Sequence, residues 1–182
     1  MIVNDAHRFS FVRIPKCAGT SVRVRLGEFD TSGGAFSVSK GFHPEIGEID
    51  MAHIPLLILK RFFPEHYEKV LTYESFAIVR DPFQRFSSSL YQRLMMFSAE
   101  NVRALSVRDL EAASEDAISV LEENINSDLM PYGFIHFQPQ HTYLKCDGAQ
   151  IVRNVFDISD LASFFTAAGA QLGVAIEDVE TA

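Results

Sequence analysis

The sequence is poor in cysteine, contains no tryptophan and has no long apolar run. Its two cysteines, at positions 17 and 146, lie far apart, so neither a disulfide framework nor a Cys-x-x-Cys zinc site is predicted. The densest apolar run, residues 54–59, is much shorter than the roughly 20 residues that cross a bilayer. No basic-then-apolar segment opens the chain. We therefore expect a cytoplasmic protein without a transmembrane segment.

Positive charge is also scarce, and it is concentrated in one region. The chain has 16 lysines and arginines against 24 aspartates and glutamates, a net charge of −8, which disfavours nucleic acid as a partner. Residues 6–27 contain no carboxylate, whereas residues 154–182 contain no lysine or arginine. A basic island in an acidic protein suits a compact anionic ligand better than a polymer. The island consists of Arg8, Arg13, Lys16, Arg23 and Arg25.

The remaining composition is that of one folded domain. The chain has 182 residues, of which 47% are hydrophobic and 22% are charged, and this length suffices for a single hydrophobic core. It contains no internal repeat and no low-complexity tract. We therefore predict a single domain over residues 1–182.

Residues 11–22, FVRIPKCAGTSV, are the first stretch with a chemical signal. A short β-branched run ends at Pro15, and a loop with one cation, small residues and hydroxyls leads into helical spacing at Val22 and Leu26. A loop between a strand and a helix start directs several backbone N–H groups at one point, where a phosphate or sulfate fits. An ordinary capped turn is the alternative. The nucleotide-binding pattern G-x-x-x-x-G-K-[ST] is not matched, because the lysine precedes the glycine. The candidate anion ligands are Lys16, Cys17, Ala18, Gly19, Thr20 and Ser21.

A second junction of strand and helix follows later in the chain. Residues 75–79 predict a buried strand, Asp81 is a suitable N-cap, and Pro82 is a suitable first residue of a helix. Arg80, at the strand end, and Ser88, two turns into the helix, can then converge on one anion. A capped helix with a merely solvated polar face is the alternative.

Apolar spacing predicts the buried face of that helix and the remaining elements. Arg85 and Gln92 are expected away from the buried face, which consists of Phe83, Phe86, Leu90, Leu94 and Phe97. Further helices are predicted over residues 20–28, 51–63 and 107–123, and a last one begins at Ser159 or Asp160 and ends at Gly173. Residues 30–47 and 130–141 are expected to be loops. Residues 142–145 and 150–156, separated by Asp147-Gly148, are expected to form a hairpin or two sheet strands around a tight turn.

Together the two junctions resemble the anion-binding motifs of sulfotransferases that use 3′-phosphoadenosine 5′-phosphosulfate (PAPS), in particular the carbohydrate-type branch with its Golgi and bacterial members. PKCAGTS at residues 15–21 is similar to the 5′-phosphosulfate loop, and RDPFQRFSS at residues 80–88 matches the 3′-phosphate motif R-[DN]-P-x-x-R-x-x-S. One departure is the aromatic residue after the motif serine, which lies one position late, at Tyr91. The resemblance implies an α/β, P-loop-like three-layer sandwich. In it, a central parallel sheet is flanked by helices, and the two junction strands are inner neighbours.

The resemblance also implies how the donor is held. Residues 16–21 bind the 5′-phosphosulfate, and Lys16 is in addition catalytic, because it stabilises charge on the oxygen that bridges phosphorus and sulfur. Arg80 and Ser88 bind the 3′-phosphate, which distinguishes PAPS and its product PAP from ATP-like nucleotides.

On the acceptor side the implied residues are histidines and an amide. His53 lies in the region that houses the catalytic base of the family, and His43 is the second candidate and a substrate-side residue. Gln140 belongs to a Pro-Gln pair near the substrate. His136 and His141 lack a carboxylate at a suitable spacing, so no metal site is predicted.

The expected function is in-line, metal-independent transfer of a sulfuryl group from PAPS to a hydroxyl group. The acceptor is a carbohydrate, either a glycan or a small glycoside. A P-loop-like small-molecule kinase and a catalytically inactive PAP- or nucleotide-binding module are the alternatives. Family members usually continue with a further C-terminal helical segment, so the chain is expected to be a minimal member or a truncated domain.

Overall fold

The computed structural model of the protein describes residues 1–97 and 102–176. Within these ranges, helices flank one four-stranded sheet, and two short hairpins lie outside it. The helices are α1 (Gly19–Leu26), α2 (Leu56–Phe62), α3 (Pro64–Thr72), α4 (Pro82–Phe97), α5 (Val107–Glu123) and α6 (Leu161–Leu172). The strands are β1 (Ile2–Asn4), β2 (Phe9–Val12), β3 (Gly41–His43), β4 (Gly47–Ile49), β5 (Glu74–Val79), β6 (Lys145–Cys146), β7 (Ala149–Gln150) and β8 (Asn154–Asp157).

The central sheet has the strand order β1-β2-β5-β8. Strands β2, β5 and β8 run parallel, with Phe11 opposite Phe76 and Ile78 opposite Phe156. The predicted α/β fold, with the two junction strands as parallel neighbours, is confirmed. Strand β1 pairs antiparallel with β2 on the sheet edge and was not predicted, because three residues are too few to show a periodicity.

Phenylalanines from the three parallel strands form the core of the sheet. Phe9 stacks on Phe76 with 5.1 Å between ring centroids, and Phe76 lies 6.4 Å from Phe156. Phe164 of α6 contacts Phe11, Phe76 and Phe156 at 5.4, 6.4 and 5.8 Å. Because each buried aromatic ring contributes a large apolar area, this cluster fixes α6 and the three strands relative to one another.

The three parallel strands end at the same edge of the sheet. Strand β2 leads to the loop before α1, β5 leads to the turn before α4, and β8 leads to a 3₁₀ turn before α6. Ligand clefts in open α/β sheets form beyond the carboxyl ends of the strands. The fold therefore brings both predicted anion-binding junctions to one edge.

Residues 51–63, which were predicted to form one helix, consist of a turn followed by a shorter helix. Helix α2 begins only at Leu56, after Pro55 in an extended conformation. Because the residue before a proline is biased away from helical backbone, a helix cannot begin as early as predicted. His53 therefore lies in the turn before α2 and not at a helix start. The next helix, α3, has Pro64 as its first residue and was not predicted.

The predicted buried face of α4 is wrong at both ends. Phe83 is 83% exposed and Phe97 is 54% exposed, whereas Arg85 is only 8% exposed and Ser89 is fully buried. The cause is a segment distant in sequence, residues 132–138, whose backbone carbonyls lie along this side of the helix.

Three polar side chains of α4, spaced by four residues, bind these carbonyls. Arg85 donates to the carbonyl oxygens of residues 136, 137 and 138 at 2.8, 3.3 and 3.1 Å. The Ser89 hydroxyl donates to the first of these carbonyls at 2.8 Å, and Arg93 donates to the Gly133 carbonyl at 3.0 Å. Backbone carbonyls thus bind both Nη groups of the buried Arg85, whose Nε has no partner among the described residues, and the segment is held against the helix.

The loops contain more regular structure than predicted. Residues 30–47 include most of the antiparallel β3–β4 hairpin, and residues 130–141 include the 3₁₀ helix Tyr132–Phe137. The expected hairpin around Asp147 and Gly148 is present as β6–β7, but its strands are only two residues long. The predicted first strand is mostly the 3₁₀ helix Gln140–Tyr143, and β8 joins the central sheet.

The last two helices agree with the prediction. Helix α5 begins after a capping box at Ser106 and covers the predicted residues. Helix α6 is capped by Asp160 and ends at Gly173, whose φ of 70° is the left-handed conformation that favours glycine. None of the helices in the described parts of the chain combines the length and apolarity that a bilayer crossing needs.

We expect Arg85→Met to lower the free energy of unfolding by about 3 kcal/mol, because buried carbonyls would lose their donor while the apolar stem is kept. Urea unfolding followed by circular dichroism measures the change. Arg108→Met, at an exposed position on α5, is the matched control and should cost less than about 0.5 kcal/mol. An Arg85→Met protein as stable as the native one would contradict the role given to this arginine.

Candidate functional site

The loop between β2 and α1 has the backbone conformation of an anion cradle. Lys16 and Ala18 adopt positive φ angles of 64° and 56° on either side of Cys17. Alternation of left-handed and ordinary backbone turns successive N–H groups to one side, as in anion-binding nests. Such backbone costs an L-residue about 1–2 kcal/mol and is typical of ligand sites. No side chain caps α1, so its first N–H groups remain available to a ligand.

Arg13 lies across this loop at Gly19. Any side chain at position 19 would collide with it, since a Cβ built there falls 2.8 Å from Arg13 Cγ. The Nε of Arg13 is buried and has no hydrogen-bond partner among the described residues. Burial, followed by the charge of Arg23, lowers the pKa of Arg13. Arg13 thus contributes an unpaired positive charge to the loop, although its Nε itself is packed against Gly19.

A cavity of about 850 Å³ opens at this edge of the sheet. Its volume lies in the range of small-molecule and cofactor sites, about 300–1,000 Å³. Both junctions contribute to its wall, together with the turn before α2. The predicted site residues on the wall are Lys16, Ala18, Gly19, Thr20, Ser21, His53, Arg80 and Ser88.

Three predicted site residues are not on the wall: Cys17, His43 and Gln140. Cys17 is buried behind the loop, and burial raises the pKa of its thiol to about 11, so the thiol stays protonated. His43, on β3, packs edge-to-face against Phe62 and Phe63, with ring centroids 4.9 and 5.7 Å apart.

The side chain of Gln140 clamps the backbone of Arg80. The Arg80 N–H donates to Gln140 Oε1 at 2.9 Å, and Gln140 Nε2 donates to the Arg80 carbonyl at 2.8 Å. The Cys17 thiol also donates to Gln140 Oε1, at 3.4 Å. Gln140 therefore positions the two junctions relative to each other, and it is not on the cavity wall.

The cations on the wall are not neutralised by carboxylates. Lys16 donates from Nζ to the neutral amide oxygen of Gln92 at 3.2 Å. Among the residues that the structure describes, no carboxylate forms an ion pair with Lys16, Arg13 or Arg80. Burial lowers the pKa of Lys16, and the charges of Arg80 and Arg13 lower it further. The cavity therefore presents a positive field that an anion would relieve.

His53 faces His136, with 5.5 Å between the ring centroids. Nδ1 of His53 lies 3.2 Å from the carbonyl oxygen of Arg13. Since a carbonyl only accepts, Nδ1 carries the proton of the neutral ring and Nε2 keeps a lone pair. Burial and the charge of Arg13 lower the pKa of His53 well below its ordinary value. Burial and the charge of Lys16 lower the pKa of His136 to about 4. Both rings are therefore neutral at pH 7.

Asp50 completes a group with these two histidines. One potential ligand atom from each of the three residues lies within 4.8 Å of the others, the arrangement of a loose metal-ligand set. Burial raises the pKa of the Asp50 carboxyl to about 6. Arg13 and Lys16, whose charges lower the pKa of the histidines, would also repel a metal cation here. The group suits proton transfer beside an anion better than it suits a metal.

Sequence reasoning missed several residues of the wall. Arg13 belongs to the basic island but was given no role. Gln92 follows Ser88 by four residues, so helical spacing alone could have placed both on one face. Asp50 and His136 had no local signal, because the distant segments that carry them meet only in the fold.

A family model described as "Sulfotransferase family" matches residues 1–151, which include both junctions. The chain belongs to the sulfotransferase family. No curated protein matches it, and no solved structure does. In this sulfotransferase the matched range ends between β7 and β8, so α6 and the strand that leads to it lie beyond the match.

The stability of this sulfotransferase should fall as the pH drops from 6.5 toward 4. The unfolded chain then binds a proton at His136 that the folded chain, with a pKa of about 4 for this ring, does not accept. His136→Gln should lessen the fall by about 2–3 kcal/mol at pH 4.5. Urea unfolding at pH 7 and pH 4.5 measures both proteins.

Two comparisons make the pH measurement specific. The raised pKa of Asp50 acts in the opposite sense and the lowered pKa of His53 in the same sense. Both groups remain in His136→Gln, so the difference between the proteins reports the titration of His136 together with its coupling to these two neighbours. His141→Gln, at an exposed position, should leave the fall unchanged. Identical falls in the native protein and in His136→Gln would show that the ring is not held neutral by burial.

Proposed function

We propose that this sulfotransferase transfers a sulfuryl group from PAPS to a hydroxyl group of a carbohydrate or glycoside. The observation that carries the proposal is the convergence of two separate anion-binding junctions on one cavity: Lys16 with its nest, and Arg80 with Ser88. One such junction would serve any phosphate. Two junctions at the ends of neighbouring strands suit a nucleotide that bears anionic groups at both its 5′ and 3′ positions.

The donor's two anionic groups occupy the two junctions in this proposal. The N–H groups of residues 16–21 hold the 5′-phosphosulfate, and the hydroxyls of Thr20 and Ser21 add contacts. Arg80 and Ser88 hold the 3′-phosphate. The clamp by Gln140 supports this assignment, because it fixes the backbone of Arg80, a residue of the cavity wall.

Transfer proceeds in line, and the protein contributes positioning and charge. The bond between sulfur and the bridging oxygen breaks, PAP leaves with that electron pair, and sulfur bonds to the acceptor oxygen. Lys16 stabilises the charge that develops on the bridging oxygen, and Gln92 holds its ammonium group in place. Arg13, Lys16 and Arg80 supply the positive charge, so the transfer is metal-independent.

His53 accepts the proton of the acceptor hydroxyl. Its Nε2 has the free lone pair, and the hydrogen bond from Nδ1 to the Arg13 carbonyl fixes the ring. The lowered pKa keeps the ring unprotonated before reaction. A bound anionic donor offsets the charge of Arg13, which raises the basicity of the ring when a proton has to be taken up.

PAP should stabilise the protein far more than AMP does. At about 100 times its dissociation constant, PAP should add roughly 2.7 kcal/mol to the free energy of unfolding. The physical reason is the 3′-phosphate, which AMP lacks and which Arg80 and Ser88 would bind. Thermal shift with PAP, AMP and ATP, each with and without magnesium, measures the difference.

Arg80→Ala should abolish the preference for PAP over AMP, whereas Arg61→Ala, at an exposed position outside the cavity wall, should keep it. Equal shifts with PAP and AMP would contradict the donor assignment. A magnesium-dependent preference for ATP would indicate a kinase instead.

His53→Ala should lower the rate of sulfuryl transfer about 10²–10⁴-fold, the usual contribution of a general base. The affinity for PAP should stay nearly unchanged, because the ring acts on the acceptor. His43→Ala is the matched control and should leave transfer largely intact, since the His43 ring packs on Phe62 and Phe63. Loss of transfer in His43→Ala with retention in His53→Ala would assign the base to the other histidine.

A further inference from the structure

Helix α4 runs along the cavity and connects its polar end to an apolar end. Ser88, Gln92 and Met96, spaced by four residues, all line the wall. Each step of four residues advances about 6 Å along a helix, so Met96 lies roughly 12 Å beyond Ser88. Gln92, the middle residue, holds Lys16. Along the helix, Ser88, the proposed ligand of the 3′-phosphate, is therefore followed by Gln92, which holds Lys16, and then by the apolar side chain of Met96.

The end of the cavity beyond Gln92 is lined by several large apolar side chains, with Ser37 and Ser39 beside them. Met96 and Phe97 contribute from α4, and Tyr132, Gly133 and Ile135 contribute from the 3₁₀ segment opposite. Met96 and Phe97 are about half exposed although they lie on a cavity wall. Exposed apolar side chains gathered at one site indicate a ligand that covers them.

The aromatic part of this wall is held in place before any ligand binds. The Arg93 guanidinium lies 3.6 Å from the ring centroid of Phe134 and 5.6 Å from that of Phe97. The Tyr132 hydroxyl donates to the Ser39 carbonyl at 3.2 Å. A fixed aromatic wall binds an apolar group without having to order itself first.

The cations near this end are already neutralised. Arg93 forms an ion pair with Asp116 at 3.4 Å, and Lys40, which lies over the Tyr132 ring, forms one with Glu48 at 2.9 Å. The cavity cations that lack such a carboxylate partner are at the other end, at the donor junctions. A polyanionic glycan would therefore find no unpaired cation beside Met96 and Phe97 among the described residues.

We propose that the acceptor is an uncharged glycoside with an apolar aglycone, and that the aglycone lies against Met96, Phe97 and Tyr132. The inference rests on the proposed sulfuryl transfer, because it places the acceptor hydroxyl beside Lys16 and His53. The sugar then lies between the donor sulfate and the apolar wall. Apolar area and aromatic contact, and not charge, supply most of the acceptor's affinity.

The test compares glycosides that differ only in the aglycone. The protein loaded with PAP is titrated by calorimetry with the phenyl and methyl β-glycosides of glucose and of galactose. Calorimetry needs no turnover, so binding is read independently of catalysis. For at least one sugar, the phenyl glycoside should bind about tenfold or more tightly than the methyl glycoside. A heparin-derived tetrasaccharide should bind more weakly than the tighter-binding of the two phenyl glycosides.

Variants on α4 connect that preference to the wall. Phe97→Ala and Met96→Gln should each reduce the preference for the phenyl glycoside several-fold and leave the PAP thermal shift unchanged. Phe83→Ala, which removes an exposed ring of the same helix outside the cavity wall, should retain the preference.

Failure of the proposed function and failure of this inference give different results. Absence of a PAP shift in the native protein would refute the donor assignment. If the PAP shift is normal, any of three binding results would refute the acceptor class alone. These results are equal binding of the phenyl and methyl glycosides, no binding of any glycoside, and tightest binding of the tetrasaccharide. A phenyl preference that survives both wall variants would refute the placement of the aglycone.

Discussion

The site depends first on the parallel pairing of β2 with β5. Val12 lies opposite Ala77, so the loops that follow the two strands leave the sheet at the same height, with Lys16 in one and Arg80 in the other. A slip of one residue would turn the side chains of one strand to the opposite face and bury the wrong set. The stack of Phe9 on Phe76 and the packing of Phe164 resist that slip. Aromatic packing within the core thus sets the distance between the two junctions that are proposed to bind anions.

Helix α4 forms part of the cavity wall at this edge of the sheet, and two of its faces have different roles. One face, with Arg85 and Ser89, binds backbone carbonyls and holds the segment that carries His136. An adjoining face, with Ser88 and Gln92, lines the cavity. The polar residues of the buried face hold another segment of the chain, whereas those of the other face line the cavity, although all are hydrophilic. The uncompensated cations at the cavity lower stability in the absence of an anion, which is a usual cost of a preorganised site.

The candidate site could be predicted best where its residues are neighbours in the sequence. The strand, loop and helix around Lys16, and those around Arg80, are continuous segments, so residue type and spacing were enough to predict their elements. Prediction was weakest where distant segments meet. Apolar periodicity favoured Phe83 over Arg85 as a buried residue, because no local pattern reveals that the carbonyls of residues 136–138 will satisfy a guanidinium. The turn at His53 and the neighbouring His136 likewise depend on tertiary contacts.

The collision between Arg13 and any side chain at position 19 limits the order in which this loop can change during evolution. Gly19 does not have a positive φ, so its backbone would accept alanine; only the arginine stem prevents it. Replacing Gly19 first would displace a buried guanidinium, whereas shortening Arg13 first would empty the space that a new side chain at position 19 requires. The two positions are therefore epistatic. Substitution at position 13 removes the obstacle to a larger residue at position 19, whereas substitution at position 19 first requires the Arg13 side chain to move.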